Sequence, residues 1–213
     1  MSFSNISFIL NKPQLSENIG ACARALKNFN FKKLILINPK PIFPNDKIIA
    51  TSVGAKDVIK SSKVFSNLEN SINKIDYLIA TTSRFRNKNI KHINLKDLKN
   101  IDLTKRIAFL FGSESSGLAN SDLSYSNYVL EIPSNPNFKS LNLSHSLIIV
   151  AQSIFTLINQ SKTKYQKSKK IKIASKKDIK SMVDLCVGHL EKINFFKPNE
   201  KKPKMIQNLL SLF

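Results

Sequence analysis

Two short runs, Tyr-Leu-Ile-Ala-Thr-Thr at 77–82 and Ile-Ala-Phe-Leu-Phe at 107–111, constrain the fold of this chain most tightly. Neither alternates apolar with polar residues, as a strand with one wet face would. A strand apolar on both sides belongs to a parallel sheet covered by helices on both faces. Other short apolar runs at Ile6–Leu10, Lys33–Ile37 and Tyr128–Ile132 predict further strands. Helical patterns fall between them, and strands alternating with helices argue for an α/β layer architecture with a mostly parallel sheet.

The first helical segment starts near Ser16, predicted to be its N-cap, with Glu17 favourably placed in the first turn. Ile19, Cys22, Ala23, Leu26 and Phe29 form its apolar stripe. Glu17, Gly20, Arg24 and Asn28 follow another face, so Arg24 is expected to project past the small Gly20 toward a cleft or a partner. Residues 45–60 read as helical in part, around Gly54-Ala55. Leu143–Asn159 reads as a strongly apolar helix burying Leu147, Val150, Ala151, Ile154 and Ile158. After Gln160 the composition changes abruptly: residues 161–177 hold eight Lys and no acid, the mark of a solvated linker. The organisation expected is a catalytic domain at 1–160, a basic linker at 161–177 and a helical extension at 178–213. In that extension Asp178 is predicted to cap a helix running to about Asn194, with a last short helix from Met205 to Phe213.

A net charge of +20 points to a polyanionic partner. Drift toward AT-rich codons accounts for the abundance of Lys, Asn, Ile and Phe, but a swap of Arg for Lys conserves charge and leaves the excess of base over acid unexplained. In such a chain the four remaining arginines, Arg24, Arg84, Arg86 and Arg106, mark positions where a planar, bidentate guanidinium is required. Cys22 and Cys186 lie too far apart in sequence to suggest a disulfide framework or a metal pair, and the three histidines have no ligand spacing. No metal is expected. No apolar run reaches membrane-spanning length and the first residues lack a signal-peptide pattern, so a cytoplasmic protein without a membrane partner is expected.

Three segments carry chemistry. The first is Glu17-Asn18-Ile19-Gly20-Ala21-Cys22-Ala23-Arg24. The second, Phe111-Gly112-Ser113-Glu114-Ser115-Ser116-Gly117-Leu118, follows a buried strand directly. The third is Ile132-Pro133-Ser134-Asn135-Pro136-Asn137-Phe138-Lys139-Ser140-Leu141-Asn142-Leu143-Ser144, which stiffens a Ser/Asn loop and leads into the long helix. In this order they resemble the three motifs of the SpoU branch of the SPOUT RNA methyltransferases.

The resemblance implies a C-terminal trefoil knot, S-adenosylmethionine (AdoMet) as cofactor, and methylation of a ribose 2′-hydroxyl. It places catalysis on Arg24, with Asn18, Glu114, Ser140 and Asn142 around it. It places cofactor contacts on Thr81, Thr82, Ser83, Gly112, Ile132, Lys139, Ser140 and Leu141, and it implies a homodimer whose site is shared between subunits. A guanidinium is a poor general base at its ordinary pKa, so Arg24 is expected to hydrogen-bond and to favour the alkoxide electrostatically. His145 is either a base or a structural residue at the start of its helix. The tail around Val187-Gly188-His189-Leu190-Glu191 is similar to the helical extension of the tRNA cytidine/uridine 2′-O-methyltransferases of the anticodon loop. That likeness implies tRNA as partner and cytidine or uridine 32 as target. The same chemistry on a wobble nucleotide or on rRNA, and a catalytically silent RNA-binding module, are the alternatives.

Overall fold

The structure is a computed structural model that describes residues 3–83, 90–160, 176–203 and 205–206, side chains within 176–180 and at 199 excepted. The chain divides into two compact units, Met1–Lys164 and Tyr165–Phe213.

The first unit is built on seven strands: β1 (Ile6–Asn11), β2 (Lys33–Ile37), β3 (Lys63–Phe65), β4 (Tyr77–Thr81), β5 (Lys91–Asn94), β6 (Ile107–Phe111) and β7 (Tyr128–Glu131). Their order across the sheet is β3-β2-β1-β6-β4-β7-β5, and every pairing is parallel. The unbroken apolar character of β4 and β6 has the predicted cause, since both are interior strands. Phe8, Leu34, Ile79, Phe109 and Phe111 face one layer of the core, with Phe8 and Phe109 stacked at 5.5 Å. Helix α1 (Ser16–Asn28) covers that face together with α2 (Asp46–Thr51), α3 (Lys56–Ser61) and, further along the chain, α6 (Leu143–Gln160). Ile9, Ile35, Leu78, Ala80, Ala108 and Leu110 face the other layer, where Leu68 of α4 (Leu68–Ile72) and Leu123 of α5 (Asn120–Leu123) close over them.

Sequence periodicity misses β3 and β5, and the sheet order gives the reason. Both are edge strands, and Lys63, Val64 and Lys91 are exposed. Lysine on an open edge discourages pairing with another chain and erases the apolar signal. Residues 45–60 form two helices broken at 52–55, where Gly54 takes φ 76°.

Ser16 is not the cap of α1. The helix starts at Ser16 itself, its N-cap is Leu15, and the Ser16 hydroxyl accepts from the Asn45 amide at 2.9 Å. A carboxylate from a distant loop takes over the capping, as described below. At the other end Asn30, at φ 59°, lets the Phe31 N–H reach back to the Leu26 carbonyl at 2.9 Å.

Of the conspicuous arginines, Arg106 behaves as its retention suggests. Its Nε and a terminal nitrogen donate to the two oxygens of Asp76 at 3.1 and 2.6 Å. Arg84 and Arg86 lie outside the described residues. Hydrogen bonds from the Arg106 side chain and backbone hold the Asp76 carboxyl down at about 2. A depressed carboxylate contributes stability above its unfolded value and loses it as pH falls through the folded one. Asp76→Asn is therefore expected to lower the unfolding midpoint slightly at pH 6 and to match the parent near pH 2. Thermal scans giving the same gap at both pH values would rule out this ion pair as the cause.

In the second unit α7 (Lys176–Lys192) begins two residues before Asp178, so Asp178 sits inside the first turn rather than at the cap. The helix ends in a reversal with Asn194 at φ 54°. Val183 and Phe196 are buried, and the Lys202 ammonium lies 5.8 Å from the Phe196 ring centre. The linker expected at 161–177 falls almost wholly outside the described residues, as does most of the segment Met205–Phe213.

Candidate active site

Because β4, β6 and β7 are parallel neighbours, their carboxyl ends open at one end of the sheet, where α/β folds bind ligands. Three chain segments leave the sheet there: 81–83 after β4, 112–118 after β6, and 132–142 after β7. Together with Leu143 and Ser146 of α6 they enclose a cavity of about 130 Å³. Thr81, Thr82, Ser83, Gly112, Ile132, Lys139, Ser140 and Leu141, the residues singled out for cofactor contacts, all line it. Glu114 lines it too. Phe111, Leu118 and Leu143 form its apolar wall; each is a member of a quoted motif that sequence reading did not assign to the cofactor site.

Local chemistry makes these segments rigid. The Thr81 hydroxyl donates to the Leu110 carbonyl at 2.9 Å, tying β4 to β6 at the rim. After β6 the chain folds back on itself: the Gly117 N–H donates to the Ser113 carbonyl at 2.9 Å, with Gly117 at φ 68°. A side chain at Gly112 would sit 2.2 Å from the Gly117 carbonyl carbon and 2.4 Å from the Leu118 nitrogen. In the 132–142 loop the Asn135 side chain and carbonyl accept from the Asn137 and Phe138 N–H groups at 3.0 and 2.9 Å.

Glu114 is heavily engaged. One carboxylate oxygen accepts from the Gln14 N–H at 2.8 Å. The other accepts from the Leu15 N–H at 3.2 Å and from the Asn18 amide at 2.8 Å. A negative charge at the start of α1 also complements the helix dipole, which is why Ser16 is free to bond elsewhere. The Asn18 oxygen in turn accepts from the Asn142 amide at 3.0 Å. The oxygen of Asn142 caps α6, accepting from the Ser144 N–H and hydroxyl at 2.8 Å each. The chain Glu114–Asn18–Asn142 thus pins the turn after β6, the start of α1 and the start of α6 to one another. Burial, with a further push from the Glu114 charge, raises the Cys22 thiol far above its usual range, so this residue stays a neutral apolar plug.

Arg24 stands apart. It is exposed on α1, lines no part of the cavity, and its side chain makes no hydrogen bond or ion pair with the described residues. Gly20 opens no cleft beside it, because α2 fills that space: a side chain there would meet the Thr51 hydroxyl at 2.0 Å and the Ile48 carbonyl at 2.5 Å. Among the five residues expected at the reacting centre, Glu114, Asn18 and Asn142 form the network, Ser140 lines the cavity, and Arg24 is separate from both. No group of three His, Cys, Asp or Glu side chains able to hold a metal occurs among the described residues. No described helix is long and apolar enough to cross a membrane.

A profile of the SpoU rRNA methylase family matches residues 5–152 of the chain. The chain is 27% identical over 212 residues to the tRNA (cytidine-2′-O-)-methyltransferase TrmJ of Methanocaldococcus jannaschii, covering 97% of itself and 88% of that protein. It is 33% identical over 153 residues to the protein of the same name from Sulfolobus acidocaldarius, covering 70% of itself and 65% of the relative. Among solved structures, TrmJ from Z. mobilis ZM4 superposes with a TM-score of 0.67 at 27% identity, over 97% of this chain and 88% of that one.

Proposed function

The chain belongs to the SpoU rRNA methylase family, and from that membership we propose that it is a tRNA 2′-O-ribose methyltransferase using AdoMet, with cytidine or uridine 32 of the anticodon loop as its target. The observation that carries the reading is the cavity at the carboxyl ends of β4, β6 and β7, which gathers every residue expected to touch the cofactor. Its lining suits that molecule. The Ser83 hydroxyl and the Gly112, Ile132 and Leu141 backbone offer donors and acceptors for an adenosine, while Phe111, Leu118 and Leu143 offer apolar contact. The proposed C-terminal trefoil knot is supported by membership of the SpoU family. Names of the relatives support tRNA as the substrate, and the +20 charge suits a polyanion.

Bound AdoMet supplies an electrophilic methyl group, so the protein's own work is positioning and charge stabilisation. Ser140 and the backbone of the 132–142 loop hold one side of the site. Asn142 and Asn18, fixed by Glu114, keep that loop in register with α1. Arg24 is proposed to hydrogen-bond the developing 2′-alkoxide and an adjacent phosphate, a task suited to a planar fork that stays protonated. Its distance from the cavity lining supports a homodimer in which α1 of a second copy brings Arg24 to the site. Exposed Leu15, Phe138, Leu141 and Ile148 offer apolar surface for that contact.

Two measurements test this. Calorimetry is expected to give 1:1 AdoMet binding per subunit, unaffected by chelator. Mapping of 2′-O-methyl marks after incubation of unmodified tRNA with AdoMet is expected to place one mark in the anticodon loop. Absence of cofactor binding sinks the enzyme reading. Marks confined to rRNA redirect it to another RNA.

A further inference from the structure

A second cavity, of about 190 Å³, lies across the same turn and shares Ser113, Ser116, Gly117 and Leu118 with the first. Its remaining walls come from the end of β1 and the start of α5. Asn11 is the notable member. It is only 3% exposed, lines the cavity, and its side-chain amide hydrogen-bonds to none of the described residues. A side-chain amide with no partner in the protein keeps its donors and its acceptor for whatever enters the cavity it lines. Lys12, the next residue, holds its backbone at φ 52°, a region that long side chains rarely occupy. Lys12 is exposed and also lines the cavity. Opposite lies Asp122, one of whose oxygens accepts from the Ala119 N–H at 2.8 Å. Leu118 supplies a buried apolar wall.

Such a lining does not suit a phosphate, because a carboxylate faces the space that an anion would fill. It suits a neutral, flat ring with donors and acceptors along one edge. We propose that this cavity takes the base of the nucleotide being methylated, a pyrimidine read at its edge by the Asn11 carboxamide. A carboxamide presents one donor beside one acceptor. Cytosine offers the matching N4 amino group and N3, and uracil offers N3–H and O4. A flip of the amide serves either, so the carboxamide does not separate the two. The shared turn would then carry ribose on one side and base on the other. The assignment rests on the methyl-transfer reading above, but it is tested separately.

Hairpin RNAs carrying C, U or an abasic ribose at the modified position provide the substrates, with the full chain and Asn11→Leu as enzymes. Removing the base is expected to lower kcat/KM of the parent by about 10- to 100-fold. Asn11→Leu is expected to lose a similar factor on C and U, to lose little more on the abasic RNA, and to keep its AdoMet affinity. Additive losses, or full turnover of C and U by the variant, overturn the proposal. Titration of the parent protein with cytidine and uridine monophosphates needs neither a folded variant nor turnover. The side-chain 15N resonance of Asn11 is expected to shift with both and not with ribose 5-phosphate. An unmoved resonance assigns the cavity to water and overturns the base site. A shift in a protein that methylates no RNA keeps the base site and discards the enzyme reading.

Discussion

Replacing Arg24 by lysine is expected to slow methyl transfer to tRNA by about 10²–10³-fold, the scale set by removing one preorganised donor from a developing oxyanion. Net charge is conserved, so a general electrostatic attraction to RNA survives. What disappears is the planar fork, which can hold an alkoxide and a phosphate oxygen together, whereas an ammonium acts as a point charge. The chain itself illustrates the distinction: where Arg106 is kept, it meets Asp76 through two separate nitrogens. Arg24 lies outside the cavity lining, so calorimetric AdoMet affinity should be unchanged in the variant. Near-normal turnover removes Arg24 from the reacting centre. Parallel loss of AdoMet affinity moves it into the cofactor site instead.

Gly112→Ala should be the most damaging small substitution in the first unit. The added methyl meets the Gly117 carbonyl carbon at 2.2 Å, the Leu118 nitrogen at 2.4 Å and the Gly117 oxygen at 2.6 Å. All three are backbone atoms of a turn closed by its own hydrogen bond, so no side chain can swing aside. At Gly20 the nearest obstacle, the Thr51 hydroxyl at 2.0 Å, is a side-chain atom, and one backbone atom, the Ile48 carbonyl oxygen at 2.5 Å, stands behind it. Overpacking against backbone is expected to cost about 3 kcal/mol, which lowers the unfolding midpoint by about 6–12 °C in a chain of this size. The turn borders the proposed cofactor cavity, so AdoMet affinity should fall at least about tenfold, equivalent to about 1.4 kcal/mol. A variant with native midpoint and native affinity would establish that the turn yields freely.

The interior of the sheet was legible in the sequence because interior parallel strands are apolar on both sides. β2 and β6 have the bounds read from their residues alone, and β1, β4 and β7 differ by one residue at an end. What was hidden lies at the rims. β3 and β5 are short, lysine-bearing edges whose pairing is decided by neighbours far away in the chain. The capping of α1 was misread for a related reason: Ser16 has the right local chemistry, but Glu114 reaches the helix start from a distant turn. No local pattern carries that information. Among the candidate site residues, Asn18, Glu114 and Asn142 were visible as motif members, yet their hydrogen-bond chain appears only once β1, β6 and α6 are assembled. Asn11, standing before Lys-Pro, reads from the sequence as the start of a loop, whereas it ends β1 and is buried, which is a property of the fold.

The position of β1 beside β6 has a bearing on synthesis. Ser7 pairs with Lys33 on one side, a partner made soon afterwards, whereas Ile6 on the other side must wait for Ile107. At roughly 5–20 residues per second that wait lasts several seconds. Throughout it, β1 presents a free edge flanked by Phe8 and Leu10 side chains that have only part of their final cover. An open apolar strand edge is a template for another chain. The nascent protein is therefore most vulnerable to association between the completion of β2 and the arrival of β6, and crowded polysomes are where that exposure matters.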